Sequence, residues 1–411
     1  MPTRRQTLAA LGLAGAGVAG VASLAACDKK PNFVDGAKKN PPKASAAISF
    51  PAADATGVPA GLEIIYTVTN AVESKFELSD ANGTAIQGAM HPDGKGWLPA
   101  KPLTYGGIYT ATISAKGDDD KPVTVSNKFT VMSQPSNQIR FSSFLPDNVG
   151  IGTGMPLIFQ LNRDIPKEFR AQIQRRMIVT TEPFVDGVWA WYTPRELHWR
   201  PRDFWQPGVK VFVDAHVGGM DCGGGFYAVR NVTLTCTTSR QLIMSCDDHG
   251  VPKVMVVTQD GQELRRIPVS LGKPEWQSSS GVMVIIEKKD HTIFDTRNDP
   301  NAREKYVAEV DWAQRITWGG EHIHSAPWSI AAQGVRDVSH GCVNMSPDNA
   351  KWLYDLTLVG DPIITINTGA TLKYGDGWTH WTIPFEEYAK GSAIPYVAPA
   401  PSATPTPTPT A

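Results

Sequence analysis

The segment His322–Met345 (HIHSAPWSIAAQGVRDVSHGCVNM) gathers three of the nine histidines and one of the five cysteines. A thiol at neutral pH is mostly protonated, and a nearby imidazole converts it to a thiolate–imidazolium pair. Such a pair needs a cysteine on a sharp turn and a histidine delivered from another element. Ser339-His340-Gly341-Cys342 supplies the turn, because Gly341 permits tight backbone geometry and exposes the sulfur and its neighbouring N–H groups. His322 and His324 alternate on what reads as a strand, so both can face one side. Two other readings use the same residues. Cys342 as a small buried hydrophobe leaves the clustering of three histidines around a Gly-Cys turn without a reason. A zinc site from His322, His324, His340 and Cys342 would rest on H-x-H and H-x-C spacings, without the wider separations common in structural zinc sites. Nucleophilic chemistry without a metal is the preferred reading.

The elements around this segment read as mainly β. From Arg240, the runs Val254–Val257, Ile267–Leu271, Gly281–Glu287 and Pro362–Asn367 have strand character, with turns expected at Gln259-Asp260-Gly261 and at Gly272-Lys273. Ser346-Pro347-Asp348-Asn349 ahead of Ala350–Leu356 predicts a short helix capped by the Ser or Asp side chain. Upstream, short runs such as Leu62–Val68, Tyr109–Ser114 and Val123–Val131, broken by Gly, Asp and Pro, argue for a β-sandwich, and a second module of the same texture follows. The two share an echo: Trp97-x-Pro99 then Gly106 recurs as Trp199-x-Pro201 then Gly208, offset by 102 residues. Its expected sense is a buried Trp opening a corner, a Pro-containing loop and a Gly turn into a strand. Trp378, Trp381, Phe385 and Tyr388 form an aromatic segment expected to pack back onto the other modules.

Length and composition agree. With 411 residues the chain has room for two to four domains and a real core. Lys plus Arg (39) balances Asp plus Glu (40), which excludes a polycationic nucleic-acid binder and a blanket attraction to anionic membranes. Many Gly (37) and Pro (32) with only 19% charged residues suit short strands and turns. The amino end reads as an export address: Arg4 and Arg5, then an apolar stretch from Leu8 to Ala26. Thr3–Leu8 resembles a twin-arginine signal, and Leu24-Ala25-Ala26-Cys27 resembles a bacterial lipobox that would make Cys27 the acylated first residue. Residues 28–45 read as a Lys- and Pro-rich tether, and the Pro-Thr repeat at the carboxyl end as disordered.

His324-Ser325-Ala326-Pro327-Trp328, followed by Ser339-His340-Gly341-Cys342-Val343-Asn344 and Ser346-Pro347, closely resembles the active-site signature of the L,D-transpeptidases, the YkuD-type cysteine enzymes of peptidoglycan cross-linking. The likeness also takes in Arg266–Pro274 and the helix around Trp352. The preceding sandwiches resemble the immunoglobulin-like modules of the actinobacterial branch. The implied organisation is an export signal (1–26), a tether (27–45), immunoglobulin-like domains at 46–134 and 135–239, a catalytic domain at 240–370, the aromatic segment at 371–397 and a tail at 398–411.

Carried over by position, the resemblance implies Cys342 as nucleophile, His324 as general base and Ser325 as its support through the backbone carbonyl. It further implies that His340 and Gly341 shape the oxyanion environment and that Asn344 braces the turn. Tyr306, Trp328, Ser339 and Asn344 are expected to contribute to substrate binding, beneath a mobile flap at about 296–318. His322 has no role in that pattern. The implied reaction takes the tetrapeptide stem of peptidoglycan through a Cys342 thioester, releases D-Ala and forms a 3→3 cross-link, with carbapenems as inhibitors and no cofactor. The enzyme would sit on the outer face of the plasma membrane, lipid-anchored. Hydrolysis of the thioester (a carboxypeptidase) and an inactive wall-binding scaffold are the alternatives. Pairing among Cys222, Cys236 and Cys246, and the identity of the acceptor, stay open at this level.

Overall fold

Short alternating runs become strands throughout residues 43–298 and 304–399, the part of the chain that the computed structural model describes. The export signal with Cys27, the tether up to residue 42, residues 299–303 of the expected flap and the tail from residue 400 lie outside the described residues.

The first sandwich has a four-stranded sheet (Ala55–Val58, Pro122–Val131, Ile108–Lys116, Glu73–Asp80), with two-stranded ribbons Ser45–Phe50/Ile65–Thr69 and Gly88–Met90/Trp97–Pro99. In the second, one four-stranded sheet (Phe141–Ser143, Leu157–Leu161, Glu196–Pro201, Gly187–Thr193) faces another (Val149–Ile151, Val232–Thr238, Lys210–Ala215, Met177–Glu182). A nine-residue helix, Lys167–Arg175, also belongs to this module and was not anticipated. It is short and buries only Ile173 and Gln174, so its amphipathic period is hard to see in sequence.

The internal echo keeps the expected buried Trp and the Gly turn into a strand, Gly106 at φ +72° before Ile108–Lys116 and Gly208 at φ +78° before Lys210–Ala215, but its Trp and Pro lie in strands and not at a corner and in a loop. Trp97 and Trp199 are strand residues whose buried rings lie over a glycine of the paired strand. A Cβ on Gly88 would stand 2.3 Å from the Trp97 ring, and one on Gly187 would stand 2.2 Å from the Trp199 ring. Each module thus repeats one Trp-over-Gly lock, and only glycine leaves room for the indole.

The catalytic part holds a six-stranded sheet in the order Gln262–Pro268, Val254–Gln259, Leu242–Asp247, Pro362–Ile366, Ser279–Val284, Ala370–Thr371. A four-stranded sheet (Glu287–Asp295, Val307–Arg315, His322–Ser325, Val343–Met345) carries the site. Four local expectations are corrected. The strand expected at 267–271 ends at Pro268; Val269 and Leu271 are apolar because they are buried in the core with Ile323 and Val343. Gly272-Lys273 is not a turn but leads into a single helical turn, Pro274–Trp276. The helix Pro347–Leu356 has no side-chain cap, and Pro347 at its start has no N–H to satisfy. Of the expected flap, 307–315 is strand paired to Glu287–Asp295.

The sandwiches and the catalytic part are packed as one body. Val284, Ile286 and Trp378 join the core built from Phe159, Trp189, Trp199 and Trp205 of the second sandwich. The backbones also touch: the Gly152 N–H donates to the Val359 carbonyl at 3.1 Å and the Gly154 N–H to that of Gly360 at 2.9 Å. Between the sandwiches, Arg175 bridges Glu63 and Asp93. The aromatic segment returns along the second module. The Trp381 indole donates to the Gly154 carbonyl and the Tyr388 hydroxyl to that of His198, both at 2.8 Å. Cys222, Cys236 and Cys246 are buried free thiols, which answers the question their spacing left open.

Candidate active site

The site is assembled by a parallel pairing. His322–Ser325 runs beside Val343–Met345 with Ile323 opposite Val343, His324 opposite Asn344 and Ser325 opposite Met345. Ile323, Val343 and Met345 are in the apolar core, so the alternate residues, His322, His324, Cys342 and Asn344, belong to the other face. One strand sequence and one turn sequence thereby deliver an imidazole and a thiol to the same side of a sheet.

The turn is braced from within. Ser339 Oγ donates to the Cys342 carbonyl at 2.6 Å and accepts from the Gly341 N–H at 3.1 Å. Gly341 has φ +117°, which a side chain would strain, and its carbonyl accepts from Ser278 Oγ at 2.7 Å. Asn344 is buried, donates to Ser329 Oγ at 3.3 Å and exchanges main-chain hydrogen bonds with Ser270. Ser339 and Asn344, both expected to bind substrate, instead spend their polar groups inside the protein. Gly341's own N–H is likewise engaged, so a developing oxyanion must find other donors.

His324 is buried between Phe294 (ring centroids 5.4 Å apart) and Trp328 (6.1 Å). Its Nδ1 lies 2.8 Å from the Ser325 carbonyl oxygen, which only accepts, so Nδ1 carries the proton and Nε2 of the neutral ring is an acceptor. Burial lowers the His324 pKa from its ordinary value. Cys342 keeps part of its surface open, yet the protein around it pushes the thiol up to about 12, through loss of hydration and, to a smaller degree, the carboxylate of Glu321. The resting pair is therefore neutral thiol and neutral imidazole, in place of the expected ion pair. Desolvation disfavours both charges.

Cys342 opens into a cavity of about 550 Å³ between the Glu287–Asp295/Val307–Arg315 hairpin and the Trp318–His322 segment. Tyr306 and His340 line it; Trp328, 60% exposed, does not, and lies on the other side of His324. His340 stacks on Tyr306 at 5.3 Å, and its Nε2 is 2.8 Å from the Glu304 carboxylate, with Lys273 Nζ at 3.3 Å. The Tyr306 pKa is raised by burial and by Cys342, so its O–H stays protonated as a donor. His322, without a role in the expected pattern, lines the cavity, and burial lowers it to about 4. Glu321 and Arg315 also line the cavity and were not singled out from the sequence. The signal for Glu321 was its position beside the His-x-His pair; for Arg315 it was register, since it pairs with His322 across the antiparallel ladder.

The chain also has known relatives. The family profile described as the L,D-transpeptidase catalytic domain matches residues 249–365, and one described as a bacterial Ig domain matches residues 55–221. L,D-transpeptidase 2 of Mycobacterium tuberculosis (strain CDC 1551 / Oshkosh) is 31% identical over 360 residues, covering 86% of this chain and 85% of the relative. L,D-transpeptidase 5 of Mycobacterium tuberculosis (strain ATCC 25618 / H37Rv) is 32% identical over 402 residues, covering 96% and 86%. A solved L,D-transpeptidase from Mycobacterium smegmatis shares 29% identity, covers 56% of this chain and 99% of its own, and has a TM-score of 0.46. A thiol and an imidazole delivered to one face of a sheet, immunoglobulin-like modules ahead of them and near-full-length kinship all say the same thing: the chain belongs to the L,D-transpeptidase family.

Proposed function

We propose that the protein forms 3→3 cross-links in peptidoglycan through a thioester on Cys342. The observation that carries this is the His324–Ser325 hydrogen bond, which leaves Nε2 as a base on the sheet face that presents the thiol. As a donor tetrapeptide enters the cavity, the Cys342 proton passes to His324 Nε2 while the sulfur adds to the carbonyl of the diaminopimelate residue. The negative oxygen is met by the Tyr306 O–H and main-chain groups of the turn. Collapse breaks the peptide bond, and His324 returns the proton to the D-Ala leaving group. A side-chain amine of a second stem then takes the acyl group, and the sulfur leaves. Ser339, Gly341 and Asn344 hold the turn, and the main chain of His340 contributes to the oxyanion environment. Trp328 supports His324 from outside the cavity. No cofactor enters these steps.

Carbapenems are proposed to acylate the same sulfur. The lipobox-like Leu24–Cys27 supports a lipid on Cys27 and a place on the outer face of the membrane, facing the wall. The test is to incubate the protein with a purified disaccharide-tetrapeptide and identify the products. Cross-linked dimer with free D-Ala is the expected result; tripeptide without dimer would make it a carboxypeptidase, and no turnover would leave only a wall-binding scaffold.

The neutral resting pair also sets a pH dependence. The base must be unprotonated, and burial lowers His324 below its ordinary 6.5. Single-turnover acylation is therefore expected to hold as pH falls through that value and to decline only below it. An acid limb with its midpoint above 6.5 would contradict the assignment.

A further inference from the structure

Glu321 is a half-buried carboxylate that the mechanism above does not use. It lines the cavity with Cys342, and the residues on either side of it touch the sulfur: the Gly320 carbonyl is 3.8 Å from Sγ, and the His322 main chain donates to it. A Cβ on Gly341 would stand 3.5 Å from Glu321 Cγ, so the carboxyl lies against the nucleophile's own turn. Its two oxygens accept from Ser279, one from the N–H at 3.1 Å and the other from Oγ at 2.6 Å, and each keeps capacity for a further donor.

Among the described residues, the two cations that line the cavity with Glu321 are committed elsewhere. Arg315 donates to the carbonyls of Thr317 at 2.9 Å and Trp318 at 2.7 Å, and Lys289 pairs with Glu287 at 3.1 Å. The other carboxylate near Glu321, Asp376, accepts from the Gly319 N–H and acts on Glu321 by repulsion. A desolvated carboxylate without a cation is costly, and a ligand that brings one repays that cost.

We propose that Glu321 receives the ammonium group of the acceptor stem and takes its proton as the amine attacks the thioester, a role that rests on the acyl-transfer reading of Cys342. An alkylammonium is charged at neutral pH and is no nucleophile until it loses a proton. One N–H proton passes to the Glu321 carboxylate. The freed lone pair forms the C–N bond, the C–S bond breaks, and the second proton reaches the departing sulfur through His324. The protonated Glu321 then releases its proton to water. Burial raises the Glu321 pKa, which suits a proton acceptor.

A purely structural role makes a different forecast. Glu321 orients Ser279, and the adjacent Ser278 holds the Gly341 carbonyl, so its loss would disturb all chemistry at the turn alike. The discriminating experiment lets the full chain react with donor tetrapeptide in the presence of two competing acceptors. One is a stem with a free diaminopimelate amine; the other is hydroxylamine, largely uncharged at neutral pH. Mass spectrometry gives the ratio of peptide dimer to hydroxamate. In Glu321→Gln this ratio is expected to fall at least about tenfold, the usual weight of a charge-assisted hydrogen bond, with part recovered in Glu321→Asp. An unchanged ratio, whether both products fall or neither does, would overturn the proposal. So would slower acyl-enzyme formation at an unchanged ratio, which would assign the ammonium to the donor. Absence of any acyl-enzyme on wild-type Cys342, read from the intact mass, would overturn the underlying acyl-transfer reading together with it.

Discussion

Replacing Cys342 with alanine is expected to abolish the covalent adduct that a carbapenem leaves on the protein and to lower cross-linking by more than about 10⁴-fold, the scale on which removing a nucleophile acts. The argument is local. The short hydrogen bonds that brace the turn use the main chain of residues 341–342 and the side chains of Ser278 and Ser339, while the sulfur adds only its contacts to the Gly320 carbonyl and the His322 main chain. Cys342→Ala should therefore keep its fold and melting temperature while losing its chemistry. His324→Ala should lose about 10²–10⁴-fold, the usual share of a general base, with the fold retained. Intact-mass measurement after carbapenem treatment checks the first variant. An adduct that persists in Cys342→Ala would place the nucleophile elsewhere.

The second large effect is on stability, at the seam between the aromatic segment and the second sandwich. Arg200 is almost completely buried; it donates to the His380 carbonyl at 2.8 Å and lies over the rings of Trp381 (4.7 Å) and Tyr388 (4.9 Å). Beside it, His198 and His380 share one hydrogen bond at 2.8 Å, both kept neutral by burial. Arg200→Ala removes a charge-assisted donor and three cation–π contacts, the third to Phe385 at 5.5 Å, and leaves a void. Together these should cost about 3–5 kcal/mol. Spread over one cooperative body of this size, that lowers Tm by about 4–7 °C. The damage should reach catalysis, because Trp378 of the same segment packs edge-on against Trp318 of the cavity wall, and Asp376 holds Gly319. A calorimetric scan with no shift would show the segment to be dispensable for the fold.

How much of this was legible in the sequence depended on whether the relevant residues are neighbours along the chain. The His-Ser-Ala-Pro-Trp and Ser-His-Gly-Cys-Val-Asn runs are contiguous because a parallel strand pair and a tight turn each draw on a few consecutive residues, so the thiol and imidazole could be named at once. The cavity wall was not legible. Phe294 and Arg315 come from a hairpin whose alternation says which residues share a face but not what that face meets, and Trp318 comes from the turn after it. Val284 and Ile286 read as ordinary strand residues, and nothing local says that they complete the core of a different module. The polar residues of the turn were misassigned for a related reason. Ser339 and Asn344 sit next to the proposed nucleophile, and adjacency alone cannot tell a group that meets the substrate from one that holds the loop. Trp312 shows the limit in the other direction: its φ of +56°, rare for a bulky residue, turns its ring towards Tyr354 of the helix, and no propensity foretells that.

The desolvated sulfur has a consequence for chemical durability. Peroxides and alkylating reagents attack the thiolate form, so a thiol raised to about 12 presents almost none of its reactive form to them at rest. Cys222, Cys236 and Cys246 are shielded by the same burial, each also near 12, so all four described thiols resist adventitious oxidation without any disulfide. Under the proposed mechanism, reactivity at Cys342 is conditional on an acyl group fitting well enough to bring a carbonyl to the sulfur while His324 takes the proton. On the proposed reading, Cys342 stays a thiol until a fitting acyl group, from a stem peptide or a carbapenem, reaches it.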